Sequence, residues 1–206
     1  MPNHCINLLT MTGSASELAT FCNYALQKDD EIMSSCPDLH YLYPIPDNVV
    51  KDKDPQILSK PEYKWRVDNW DTKWNTYENA GLAVLRSNVS DRLLGVQCEF
   101  ESAWSPPLGA IRVGSAKFPS LTFTLEFIEP GVAFRGVAVY KNGKEVFQHI
   151  EDDLTGKEWD IVNEDGFKAS YRRMTDPFRV EHIKTLNQDF NMASVMRLPD
   201  FTGSMF

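Results

Sequence analysis

The 206 residues include 29 acids and 21 bases, a formal charge of −8, with 42% apolar and 24% charged residues. That balance excludes a disordered, aromatic-poor chain, and the lack of any block of consecutive Lys and Arg disfavours a conventional phosphate-binding surface, which needs clustered cations. No long apolar run, no basic-then-apolar leader and no repeating spacing of Cys5, Cys22, Cys36 and Cys98 occur, so a soluble cytosolic protein with reduced thiols is expected.

His4 to Thr12 reads as a strand stopped at Gly13. The S-x-x-E spacing of Ser14 and Glu17 then predicts a capping box, in which each side chain satisfies an orphan amide at a helix start. Leu18, Phe21, Cys22, Ala25 and Leu26 recur at three and four residue steps, which predicts a helix over about 15 to 27. Residues 28 to 62 are broken by Pro37, Pro44, Pro46, Pro55 and Pro61 and read as ordered loop, with a short strand at Leu39 to Tyr43. A short helix is expected from Pro61 to Trp70.

Gly81 to Ser87 and Leu94 to Ser102 read as an antiparallel strand pair joined by a polar turn. Ser105-Pro106-Pro107 suits a helix start, with Ser105 as the cap and the helix running to about Lys117. Gly109 and Gly114 should weaken it by roughly 1 kcal/mol each, so packing must hold it. Leu121 to Phe127 alternates without exception, predicting one core face and one wet face carrying Thr122, Thr124 and Glu126. Glu129-Pro130-Gly131 makes a turn, Val132 to Tyr140 a strand, and Asn142-Gly143 a hairpin returning through Glu145 to Ile150.

After Ile150 the character changes. Residues 151 to 165 hold seven acids and one lysine, whereas from Gly166 onward six bases outnumber four acids. Tyr171 to Asn191 could hold helix, with Phe178, Val180, Ile183 and Leu186 on one side. The order strand, helix, strand pair, helix, strand implies an α+β fold: a ferredoxin-like antiparallel sheet covered by two helices. The expected division is a domain at 1–150, with a loop-rich insertion at about 28–80, and a C-terminal extension at 151–206.

The N-terminal strand, Leu42 to Pro46, Asn69 to Asn75, Phe100 to Pro107, and Phe118 to Phe123 followed by Glu129-Pro130-Gly131 together resemble the YubB-like family. The resemblance covers about residues 1 to 150. It implies a ferredoxin-like C-terminal part and a source in a mobile genetic element, phage or plasmid, and so a counter-defence role in a bacterial host cytoplasm. It supplies no catalytic residues.

The residues themselves point away from chemistry. His4-Cys5, Cys36 and His40 offer ligand types, but no CxxC or HxxxH pair accompanies them, so neither a metal nor a cofactor is expected. No histidine stands in a recognisable arrangement with serine, cysteine or acid, and no nucleophile elbow, P-loop or G-x-G-x-x-G segment occurs, so an enzyme is not expected. Nucleic-acid binding on the sheet is disfavoured because Thr122, Thr124 and Glu126 supply neither rings nor cations, although Phe134 and Arg135 keep it in view. Mimicry of nucleic acid by Glu151, Asp152, Asp153, Glu158, Asp160, Glu164 and Asp165 is a further alternative to a solvated acidic run.

The expectation that remains is a non-catalytic protein that binds a host protein. Aromatic and arginine anchors for it are Trp159, Phe167, Tyr171, Arg172, Arg173 and Phe178 in the extension. Trp70, Trp74 and Trp104 form a second candidate set. Four residues apart, Trp70 and Trp74 would share a face on a helix or a strand, and they either pin a loop to the core or line a binding groove with Trp104.

Overall fold

In strand β1 (His4–Thr12), buried and half-buried residues alternate, so Cys5, Asn7, Leu9 and Met11 face the core and His4, Ile6, Leu8 and Thr10 face the other way. The structure, a computed structural model, describes residues 3–28, 33–49, 60–86 and 93–151. Helix α1 (Ala15–Tyr24) starts at Ser14, whose hydroxyl accepts the Glu17 N–H at 3.5 Å. The expected box is only half made: the Glu17 carboxylate accepts the Ser120 N–H at 3.0 Å and fastens the helix to a distant loop. The helix also ends before residue 27. Ala25 caps it, and Leu26 is buried in strand β2 (Leu26–Lys28), which pairs with β3 (Met33–Pro37).

Leu39 to Tyr43 is not a strand. Leu39–Leu42 form a one-turn helix, α2, because the Asp38 carboxylate accepts the His40 N–H at 3.0 Å and the Asn75 side-chain oxygen accepts the Leu39 N–H at 2.8 Å. Helix α3 (Pro61–Trp70) has proline in its first turn, as expected. Strands β4 (Tyr77–Arg86) and β5 (Leu93–Ala103) pair antiparallel. Helix α4 (Leu108–Ser115) is shorter than the predicted element at both ends. A meander of β6 (Thr122–Glu129), β7 (Phe134–Lys141) and β8 (Lys144–Glu151) follows, with Asn142 and Gly143 at φ 49° and 75° in the tight turn that such a hairpin requires.

The six strands lie in the order β4-β5-β1-β6-β7-β8, and every neighbouring pair is antiparallel. The first four are a ferredoxin-like unit: the crossover from β1 to β4 passes over β5, and that from β5 to β6 passes over β1. Strands β7 and β8 extend its β6 edge. Helices α1 and α4 cover the core face, where Phe21, Phe118 and Phe123 meet edge to face or tilted with centroids 5.5 to 6.2 Å apart.

Helices α2 and α3 pack on α4. The two glycines that weaken α4 are where they approach: a Cβ at Gly109 would lie 2.2 Å from the Asn69 carbonyl oxygen, and one at Gly114 would lie 2.8 Å from the Leu42 side chain. Packing therefore claims the positions that propensity alone would fill with alanine.

One expectation about the best strand is corrected. The alternation holds through Leu125, but Glu126 is 3% exposed, and Thr122 and Thr124 are half-buried. Glu126 is flanked on this face by Leu8 of β1 and the buried Val137 of β7, so its neighbours here are apolar and this part of the second face is not wet. Strand β7 likewise begins at Phe134, because Ala133 at φ 63° still belongs to the turn. Among the described residues no helix is long and apolar enough to cross a membrane. The predicted helix at Tyr171 to Asn191 and the acidic run from Asp152 onward lie outside the described residues.

Candidate functional site

Trp70 is the last residue of α3, and Asp71, at φ 65°, leaves the helix in the left-handed conformation. Trp70 and Trp74 therefore belong to different local structures, and neither helical nor strand periodicity relates them. The Trp70 ring is wholly buried. Its indole N–H donates to the Tyr43 carbonyl at 2.8 Å, and His40 and Trp65 meet it edge-on at 4.8 and 5.9 Å. Trp74 is half-buried.

The segment after Trp70 is held from several sides. Arg66, buried in α3, donates from Nε to the Lys73 carbonyl at 2.6 Å while its guanidinium pairs with Glu62 at 2.8 Å. Thr72 donates to the Ala103 carbonyl at 3.0 Å and accepts the Ala103 N–H at 3.1 Å, which ties the segment to the end of β5. Asp71 accepts the Gly109 N–H at 2.7 Å, so it caps α4 from 38 residues away. The cap expected of Ser105 is thus supplied by another residue; the Ser105 hydroxyl donates to the Asp71 carbonyl instead. Burial raises the Asp71 carboxyl above its ordinary value, and the Gly109 N–H and Arg112 partly offset this.

Those contacts frame Trp104. It sits at φ 73°, a conformation that costs a bulky residue about 1–3 kcal/mol and persists only where surroundings impose it. They do so here. Ala103 is clamped by Thr72, the Trp104 N–H donates to the Asn3 carbonyl at 2.9 Å, and the Ser102 hydroxyl donates to the Ser105 carbonyl at 2.7 Å. The bend leaves Trp104 54% exposed, with the Lys73 ammonium 3.0 Å from its ring centroid. Partial burial lowers the Lys73 ammonium below its ordinary value. Val132, 67% exposed, lies at the same end of the sheet, where Gly131 abuts Asn3.

The second face of the sheet holds a cluster that sequence reasoning missed. His4 of β1 pairs through Nδ1 with the Glu101 carboxylate of β5, and the Tyr77 hydroxyl of β4 stands 3.3 Å from the same nitrogen. The strand register brings these residues together from positions up to 97 apart, which no local motif signals. Farther along the same face, Arg135 donates to Glu151 at 2.8 Å and His149 lies 3.6 Å from that carboxylate.

The sequence-predicted sites fall into three groups. Trp104 is displayed, Trp70 is enclosed, and the two do not line one groove. Trp159, Phe167, Tyr171, Arg172, Arg173 and Phe178 lie outside the described residues. Of the weighed metal ligands, His4 and Cys5 point to opposite faces of β1, and His40 packs against Trp70. Among the described residues no three His, Cys, Asp or Glu side chains converge on one point. Burial pushes the thiols of Cys5, Cys22 and Cys98 up, away from the reactive thiolate.

Residues 69–167 match the family model described as the ferredoxin-like domain in Api92-like protein, a stretch of just under half the chain. Among solved structures the chain is similar to the crystal structure of a protein api92 from Yersinia pseudotuberculosis. The two share 9% sequence identity over 76% of this chain and 99% of that one, with a TM-score of 0.52. A likeness at that identity shows the fold. No curated protein matches the chain.

Proposed function

We propose that the protein acts without catalysis, by binding a host protein through the sheet end that displays Trp104. The observation that supports this reading is the bend itself: a large ring is held outward in a costly backbone conformation by hydrogen bonds on both sides. A preorganised aromatic loses little freedom on association and is the residue type that dominates binding energy at protein interfaces. Lys73 over the ring and Val132 nearby give the patch a cationic edge and an apolar flank.

The open face of such a sheet is where nucleic acid would lie. Here its partly exposed side chains include Glu99 and Glu101, which repel phosphate, so a protein partner is the better reading. The finer identity we propose is that of a YubB-like accessory protein of a phage or plasmid that inhibits a bacterial defence component. Affinity purification of the intact chain from its natural host should recover a protein partner, and Trp104→Ala should lose it while remaining folded. Recovery of no protein, together with oligonucleotide binding or nucleotide turnover by the purified chain, would sink the proposal.

A further inference from the structure

Lys73 and Trp104 are each fixed through their own backbone. The Lys73 carbonyl accepts the Arg66 Nε–H at 2.6 Å, and the Trp104 N–H donates to the Asn3 carbonyl at 2.9 Å. The Lys73 ammonium stands 3.0 Å from the ring centroid, yet among the described residues no carboxylate forms an ion pair with it. The acids nearest in sequence are committed elsewhere. Asp71 accepts the Gly109 N–H at 2.7 Å, Glu101 pairs with His4, and Glu129 accepts the Gly131 and Val132 N–H groups at 2.9 and 2.5 Å. A cation therefore rests on a displayed ring with no anion from these segments beside it.

We propose that this pair selects a carboxylate: the partner segment that docks at Trp104 carries an aspartate or glutamate beside an apolar side chain. Lys73 takes the carboxylate, and Trp104 with Val132 takes the apolar group. The inference rests on the reading of Trp104 as a partner anchor and names the chemistry that the anchor accepts. An ammonium on a ring keeps N–H groups able to donate, since the attraction to the ring is not a hydrogen bond. Its stem is already ordered in the free protein, so an incoming carboxylate gains charge-assisted hydrogen bonds without that cost. A phosphoryl group is matched less well, because it is held by clustered cations or an arginine fork, and Arg66 is paired with Glu62. The formal charge of −8 opposes an acidic segment only at range. At physiological ionic strength the screening length is about 8 Å, so the contact is decided by the groups beside it.

The test uses the full-length chain with isotope-labelled indoles and two peptides, acetyl-Leu-Glu-Leu-amide and acetyl-Leu-Gln-Leu-amide. The Trp104 indole signal is assigned by its loss in Trp104→Ala. The glutamate peptide should move that signal with an affinity at least about tenfold tighter than the glutamine peptide, and added salt should remove most of the difference. Lys73→Met, which keeps an apolar stem on the ring, should bring the two peptides to parity at unchanged far-ultraviolet dichroism. Inorganic phosphate at the same concentration should leave the signal in place. Equal binding of the two peptides, no movement with either, or an equal response to phosphate overturns the proposal. If Lys73→Met does not fold, the peptide comparison and its salt dependence in the unaltered chain decide. Partner capture separates this inference from the reading beneath it. Loss of the partner in Trp104→Ala but not in Lys73→Met leaves the anchor standing and overturns the carboxylate; retention in both overturns the anchor as well. A sedimenting mass that doubles in the chain alone, and halves again in Trp104→Ala, makes a second copy the occupant and overturns the proposal.

Discussion

Trp70 and Trp104 both adjoin the same short segment, residues 71 to 73, yet their environments are opposites. Around Trp70 the chain closes: α2, α3 and α4 meet, the indole finds a carbonyl, and two other rings seal the edges. Around Trp104 the same hydrogen-bonded segment holds the backbone open, in a conformation that lifts the ring out of the core. The difference teaches that a rigid support serves both ends. What encloses one tryptophan fixes the direction of the other, so damage at the buried end should reach the exposed end, but not the reverse.

Substitution can break that asymmetry. Trp70→Ala should have the largest effect, destabilising by about 3–5 kcal/mol in urea unfolding, since it opens a ring-sized cavity and orphans the Tyr43 carbonyl. Arg66→Ala comes next at about 3 kcal/mol, because it removes the buried guanidinium that pairs with Glu62 and frees the Lys73 carbonyl; partner capture should fall with it. Replacing both members of that pair with Met should cost less than Arg66→Ala alone. Trp104→Gly should leave stability within about 1 kcal/mol of the parent, or raise it, since glycine adopts φ 73° without strain; partner capture should still be lost. A large loss of stability in Trp104→Gly would contradict the view of that ring as a displayed anchor.

The smallest effect concerns Asp71. Its carboxyl is raised in the folded state by burial, so the fold binds that proton more readily than the unfolded chain does. Stability from this group is then fully present below the unfolded carboxylate range and is lost as pH rises through the folded value. Asp71→Asn keeps an acceptor for the Gly109 N–H and removes the titration. Thermal melts from pH 3.5 to 7 should show the variant gaining on the parent as pH increases, and an unchanged difference across that range would contradict the assignment.

What was legible in the sequence was what neighbours in sequence decide. Ser14 before an apolar stripe, Pro61 at a helix start and the Asn142-Gly143 turn are local signals that the structure follows, and the alternation in β6 holds as far as Leu125. The ferredoxin-like order of elements follows from them. Contacts across the chain account for the misses. Asn75 converts a predicted strand into α2, Asp71 replaces Ser105 at the start of α4, and Glu126, flanked by Val137 and Leu8, is buried on the face that alternation marks as wet. The site divides the same way. Aromatic content singled out the tryptophans, but only tertiary packing determines that Trp70 is core and Trp104 is surface. The pairing of His4 with Glu101 and Tyr77 is a matter of strand register and left no mark on any short motif.

The central position of β1 also bears on how the chain folds. Its two neighbours are β5 and β6, so Leu9 must find Cys98 on one side and Leu125 on the other before the sheet is whole. Each pairing closes a loop of roughly a hundred residues, whereas β6, β7 and β8 are joined by short turns. Non-local pairing of this kind is slow relative to hairpin formation. Strand β1, made before both of its neighbours, should be the last of the three to settle. Until it does, β5 and β6 each present an unpaired edge, and in that interval the growing chain is most exposed to aggregation.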